Sequence, residues 1–510
     1  MASDAIAART KPTSPSVWLS DTALLTYIAV ASVFLHLILG NRYGWHRDEL
    51  ATLEDARHLA WGYPAYPPVT PFFGRVSLEL FGTSVRGFRF FANVAQAATV
   101  VLTGLMARSM GAHRGAVLVA GVAALPFVLG GGYEMQYVAF DALAWVLTAF
   151  FVVKLLQTED PRWWVAIGVS LGFGMLCKYT IGFFALSIVV AVLVTDARCY
   201  LKSKWLWIGV GLSILIWLPN LLWQYQHNFV SLDFLSHIHA RDVRQGRAAN
   251  FLPQQLMLTG MRAPLALAGL WFCFATPTGK RFRMIGWMYV ITLALFVIAK
   301  GRWYYMGPAY PMLYAAGAAW GERWLATVNR ARATAIRWAV WAALLVELVV
   351  TSAFWLPLAP LNTRWWAITN DMQGDFREQL GWYELVAEVA RIRDTLTPED
   401  RAHLGIIGTN YGEAGAINLY GPEFGLPRAI SGVNSFWYRG YGDPPPQTVI
   451  ILGLSRHYMD ESFQSCRLAG HTPNPYNVSN EETHDHPDIY VCGPPRAGWP
   501  EFWKDFRYYG

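Results

Sequence analysis

Between residues 22 and 357 the chain returns repeatedly to apolar runs that approach or exceed the ~18–20 residues needed to cross a bilayer. Nothing constrains its fold more. Inside lipid every backbone polar group must find its partner within the segment, so such runs fold as helices. Their boundaries, near 22–40, 87–107, 115–131, 136–156, 163–177, 180–195, 205–223, 263–276, 284–299, 304–322 and 335–357, predict about eleven spans. Composition agrees. Of 510 residues 54% are hydrophobic and 15% charged, where a soluble domain would carry roughly 25% charged residues. Most of the 24 Trp and 24 Tyr sit near the ends of the runs, as interfacial anchors do.

Charge sets the expected topology. With the N-terminus (Arg9, Lys11) in the cytoplasm, every inner loop is basic, from Arg108 and Arg114 through Arg198, Lys202 and Lys204 to Arg330 and Arg337. The net charge of +6 is spread over loops and is not a nucleic-acid signal. The first run ends Leu-Ile-Leu-Gly with no Ala-x-Ala site, so it reads as a retained span. An odd number of spans places the C-terminal tail outside, on the side of the first loop.

That outer side holds two long loops, 41–86 and 224–262, the second the size of an active-site lid. The first opens on Gly44-Trp45-His46-Arg47-Asp48-Glu49-Leu50. An acidic pair beside a span is costly unless it faces water, a partner or a substrate. Stretches 46–61 and 71–82 read as short amphipathic helices in the interface. Basic residues also gather outside, against the topology rule: Arg42, Arg47, Arg57, Arg75, Lys178, Arg241, Arg244, Arg247, Lys300 and Arg302. As a set on one face they favour an anionic ligand.

Beyond residue 358 the character changes, which divides the chain into a membrane domain (1–358) and a small α/β domain (359–510). Strands are expected at Leu404–Gly408, Arg428–Ser431, Thr448–Leu454 and Ile489–Cys492, with helices at Trp382–Leu396 and Glu413–Tyr420. Cys466 and Cys492 are positioned to pair if the tail faces an oxidising compartment. No glycine fingerprint or P-loop is present, so nothing points to a nucleotide, and no cofactor is required; His46 and His58 with Asp48 are the one metal alternative, disfavoured because the spacing is not HExxH-like.

With these features in hand, the chain resembles the C-type (GT-C) membrane glycosyltransferases, among them the bacterial relatives of protein O-mannosyltransferases and the lipid A aminoarabinose transferases. Arg47-Asp48-Glu49 resembles the family's acidic motif, and Ala60-Trp61-Gly62-Tyr63 with Pro67-Pro68 the segment after it. Tyr137-Val138-Ala139-Phe140-Asp141 resembles its second acidic position. Met175-Leu176-Cys177-Lys178-Tyr179 is similar to its Lys-containing turn. Lys300-Gly301-Arg302-Trp303-Tyr304-Tyr305 is similar to its basic-aromatic segment near the donor. Asn410-Tyr411-Gly412-Glu413-Ala414-Gly415-Ala416 resembles the tail of a bacterial subfamily.

The resemblance implies a sugar donor on a polyprenyl phosphate at the outer face of a bacterial inner membrane, and a lipid, glycan or protein acceptor. Lys178, Lys300 and Arg302, aided by Tyr304 or Tyr305, would hold the phosphate, on which charge grows as the glycosidic bond breaks. Asp48 would take the acceptor proton, and single displacement would invert the anomeric carbon. Glu49 and Asp141 are expected to bind the acceptor or a sugar hydroxyl, although Glu49 lies ~100° round the helix from Asp48 and equally suits capping or orienting a neighbour. The competing reading is a transporter or lipid flippase, which would favour repeated halves and charge at the membrane midplane. Neither is visible here.

Overall fold

The computed structural model describes residues 19–247 and 249–510. Arg9 and Lys11, which orient the N-terminus in the sequence, lie outside the described residues.

All eleven expected segments are helical, but they are not equivalent. Eight described helices are long and apolar enough to cross a membrane, and the bent pair Ile181–Val194 and Asp196–Lys202 makes a ninth if taken as one span. Trp163–Met175 has 13 residues, about 20 Å of helix against a ~30 Å hydrocarbon core. Tyr310–Thr327 reaches 18 residues, but Gly317, Gly321, Glu322 and Arg323 dilute it. The chain is therefore a multi-pass membrane protein; eight or nine of its described helices are long and apolar enough to span, and Trp163–Met175 and Tyr310–Thr327 are the expected spans that fall short of that measure.

Glycine sets the tightest packing. A Cβ at Gly168 would lie 2.0 Å from the Gly209 carbonyl oxygen, and one at Gly209 would lie 2.2 Å from that of Trp164. Only bare backbone lets Trp163–Met175 and Lys204–Gln226 approach so closely, the usual device where lipid gives no hydrophobic drive.

The first loop departs from an interfacial arrangement. Its helix Arg47–Arg57 ends at Arg57, four residues before Trp61, and its Leu50, Leu53 and Ala56 are almost wholly buried. They pack on protein, in one core with Trp382, Leu385, Ile406, Ile417 and Ile450 of the tail. Helix Val69–Phe81 keeps Phe72, Leu80 and Phe81 exposed, as an interfacial helix would.

The tail forms a five-stranded sheet: β1 Leu404–Gly408, β2 Ala429–Ile430, β3 Thr448–Leu452, β4 Arg467–His471 and β5 Asp488–Cys492, in the order β2-β1-β3-β5-β4. β1 runs parallel to β2 and β3, whereas β5 is antiparallel to β3 and β4. Alternation divides the faces: Ile406 and Ile450 point to the first loop, while Ile407 and Ile451 meet Trp499 and Phe502. β4 escaped the sequence reading because it is a mostly exposed edge strand interrupted by Gly470. Cys466 and Cys492 are disulfide-bonded, tying the start of β4 to the end of β5.

Candidate functional site

A cavity of about 700 Å³ opens between the first loop, the tail and the helix Val230–Arg244 of the second long loop. The acidic helix Arg47–Arg57 supplies one wall. His46 caps it: its Nδ1 accepts from the Asp48 N–H at 3.2 Å, while its own N–H donates to Glu49 at 3.0 Å. The cap fixes the first turn, and helical spacing then turns Asp48, Thr52 and Asp55 to the cavity.

Asp48 is part-buried, and its Oδ2 accepts from Gln136 Nε2 at 3.0 Å. The Gln136 amide also donates to Glu134 Oε2 at 2.7 Å, so the carboxylate is held from behind. Tyr411 of the tail stands beside it, and burial, together with the Asp48 charge, pushes the Tyr411 phenol up. Asp55 accepts from Tyr66 (2.7 Å), Ser435 (3.2 Å) and Arg439 (2.6 Å). Burial raises its carboxyl, and Arg439 opposes that shift.

The opposite wall is basic and aromatic. Lys178 sits in the turn between Trp163–Met175 and Ile181–Val194, its Nζ 3.9 Å from the centre of the Tyr305 ring and 4.8 Å from that of Tyr137. Its ammonium makes no ion pair among the described residues, and burial lowers its pKa. Lys300 is exposed at the rim, at a φ of 49°. Arg302 forks onto Asp242 at 2.6 and 3.0 Å and donates to the Tyr304 hydroxyl at 2.9 Å. Phe183, Phe234, Leu235, Ile238 and Phe296 complete an apolar flank.

Of the sequence candidates, Asp48, Lys178, Lys300, Arg302 and Tyr305 line this one cavity. Tyr304 reaches it through Arg302. Two candidates fall elsewhere. Glu49 is wholly buried, where it accepts from Arg89 at 2.7 and 2.5 Å and from the Met135 N–H at 2.8 Å. With these partners it has no face for a substrate; it pins the start of the loop. Asp141 is also buried, accepting from Trp145 Nε1 at 3.0 Å, with Thr180 at 3.5 Å. It lies behind Lys178 as a counter-charge rather than on the wall.

Sequence reasoning passed over Asp55, Gln136, Asp242 and Arg439. Asp55 had a signal, seven positions after Asp48 on the same helical face. Asp242 had none, lying among Arg241, Arg244 and Arg247 in a stretch that reads as a solvated loop. Among the described residues no group of three His, Cys, Asp or Glu is arranged to hold a metal.

Comparison with known proteins follows the same lines. Residues 65–223 match the family model described as dolichyl-phosphate-mannose-protein mannosyltransferase. The lipopolysaccharide core galacturonosyltransferase RgtB of Rhizobium johnstonii is 26% identical over 255 residues, 47% of this chain. The chain spans about half the length of that curated relative, 49%. Two crystal structures of ArnT from Cupriavidus metallidurans superpose over nearly the whole chain. The one bound to undecaprenyl phosphate has a TM-score of 0.57 at 17% identity, covering 92% of this chain and 97% of that one. The apo state has a TM-score of 0.58 at 15% identity, covering 93% and 98%. At such identities the likeness shows the fold: this chain has the C-type glycosyltransferase fold. Together the comparisons bear out the resemblance read from the sequence.

Proposed function

We propose that the chain is an inverting glycosyltransferase that moves a sugar from a polyprenyl-phosphate donor to an acceptor hydroxyl at the outer face of a bacterial inner membrane. One observation carries this reading: a single cavity sets the Asp48 carboxylate on one wall and Lys178, Lys300 and Arg302 on another, beside an apolar flank. The flank suits an isoprenoid chain. The cations suit its phosphate, which as a leaving group needs positive charge more than an acid. One carboxylate then suffices as base, where glycosidases usually need two. The undecaprenyl phosphate bound to ArnT supports the donor class, and the disulfide in the tail supports an oxidising compartment.

In this mechanism Gln136 holds Asp48 toward the acceptor. As the acceptor oxygen attacks the anomeric carbon its proton passes to Asp48, and the phosphate departs toward Lys178 and Arg302. Asp242 holds Arg302 in place and offsets its charge, whereas Lys178 and Lys300 have no carboxylate within ion-pair distance among the described residues.

The test is sugar transfer by the purified protein in lipid, with a panel of polyprenyl-phosphate sugars and a crude membrane extract as acceptor. Asp48→Asn should lose about 10²–10⁴-fold in rate with its fold intact. Transfer at the wild-type rate by the variant would remove Asp48 as base, and a product with retained stereochemistry would sink the single-displacement mechanism.

A further inference from the structure

A second hollow, of about 730 Å³, lies against the first. Tyr411, Arg241 and Gly510 line both. Neighbours on the acidic helix divide between them, Asp48 facing the first and Arg47 the second. The Arg47 guanidinium lies 5.0 Å from the centre of the Tyr411 ring, and the same residue's phenol stands beside Asp48. Tyr411 thus stands between Arg47 of the second hollow and Asp48 of the first.

The linings differ in chemistry. The first offers aliphatic and aromatic surface to a lipid. The second interleaves guanidinium groups (Arg47, Arg241, Arg247, Arg507) with the carboxyls of Glu413 and Glu482 and the phenols of Tyr458, Tyr508 and Tyr509. Glu482 is 3% exposed; its Oε1 accepts from Asn410 Nδ2 at 2.9 Å, and its Oε2 has no hydrogen-bond partner among the described residues. Arg47 Nε and Arg241 Nε are buried without a hydrogen-bond partner among the described residues, Arg241 Nε lying 3.9 Å from Asp242 Oδ1. The guanidinium, carboxyl and phenol groups of this lining offer a ligand both donors and acceptors. Among the described residues Arg507 meets no carboxylate within ion-pair distance, donating to the Tyr438 and Tyr509 hydroxyls at 3.1 and 3.5 Å.

Arg47 is paired with Glu481, and Arg241 and Arg247 lie against Asp242, so little of the positive charge that a nucleotide or polyanion would need is left free. Carboxyl and guanidinium groups beside aromatic faces match a polyhydroxylated ring, whose hydroxyls both donate and accept and whose C–H faces stack on phenols. We infer that this hollow is the acceptor subsite and binds a carbohydrate, one hydroxyl of which passes Tyr411 to reach Asp48. The inference rests on the transferase reading and adds to it the class of acceptor.

The experiment uses the full chain in lipid nanodiscs and two probes: undecaprenyl phosphate, and labelled, lipid-free oligosaccharides released from bacterial envelopes by mild acid. Wild type should bind both. Glu482→Gln and, independently, the exposed rim variant Tyr458→Ala should weaken oligosaccharide binding about tenfold while lipid binding holds within about twofold. Oligosaccharide binding that both variants leave unchanged would overturn the assignment. So would a wild type that binds undecaprenyl phosphate but no oligosaccharide, with the donor reading still standing. A wild type that binds neither would overturn both.

Discussion

Asp48 faces the cavity and Glu49 faces Arg89, because about 100° of helical rotation separates consecutive residues. Their substitutions should therefore fail differently. Asp48→Asn removes a proton acceptor from a part-buried surface and leaves the packing alone. Glu49→Gln leaves the Arg89 guanidinium, only 2% exposed, without its counter-charge. Removing one partner of such a pair costs about 3–5 kcal/mol, so the variant should melt earlier and lose activity in proportion to its unfolding. A circular-dichroism melt beside a transfer assay separates the two cases. Glu482 gives a pH signature. Burial, its main cause, raises this carboxyl from an ordinary 4.5 to about 7 in the folded chain. The folded state then binds the extra proton between those values, so its stability falls as pH rises from about 4.5 to 7, by at most about 3 kcal/mol. Glu482→Gln, which cannot ionise, should flatten that slope. Amide exchange across residues 409–413 at several pH values reads it directly, and an unchanged slope would show that Glu482 is ionised throughout.

Among the elements, the short helix Trp163–Met175 depends most on its neighbour. Its contact with Lys204–Gln226 is backbone against backbone at Gly168 and Gly209. Gly209→Leu has no room for its side chain and should force the helices apart. It should lower the melting temperature and shift the turn carrying Lys178, weakening donor binding more than Gly211→Leu, where a Cβ meets open space. The membrane helices were legible because an apolar run announces itself locally, whatever it packs against. The turn at Lys178 and the segment at Lys300 were legible because positive charge at the outer end of a span runs against the topology rule. Other features depend on distant partners and left no local mark. The stripe Leu50, Leu53 and Ala56 reads equally well against lipid or protein, and only the tail, more than 300 residues on, decides for protein. Asp242 looks like one charge in a polar loop until Arg302 folds onto it from 60 residues away. Asp141 matched its motif, but a motif does not say which way a buried carboxylate points.

In the whole molecule the two parts share one core, and the chemistry sits on the seam. Glu54 and Asp55 of the acidic helix are almost wholly buried, and tail arginines meet both: Arg428 reaches Glu54 at 2.5 Å and Arg439 reaches Asp55 at 2.6 Å. Arg47 pairs with Glu481, and a Cβ at Gly415 would lie 2.7 Å from the Leu50 Cβ, so the helix Tyr411–Tyr420 rests directly on the acidic one. A chain cut after residue 358 would expose Leu50, Leu53 and Ala56 to water, take Arg439 from Asp55, and leave Glu54 only Arg57 and His58. The membrane helices keep their own contacts, so this truncated protein should still insert. The acidic helix should lose its position, and transfer should fall at least as far as with Asp48→Asn. Supplying residues 359–510 as a separate chain tests whether the seam alone is at fault: activity regained on mixing would show that the tail acts by holding Asp48 and lining the site. A truncated chain that transfers sugar at the full rate would instead make the tail a cap, and the ion pairs at Glu54 and Asp55 a matter of stability alone.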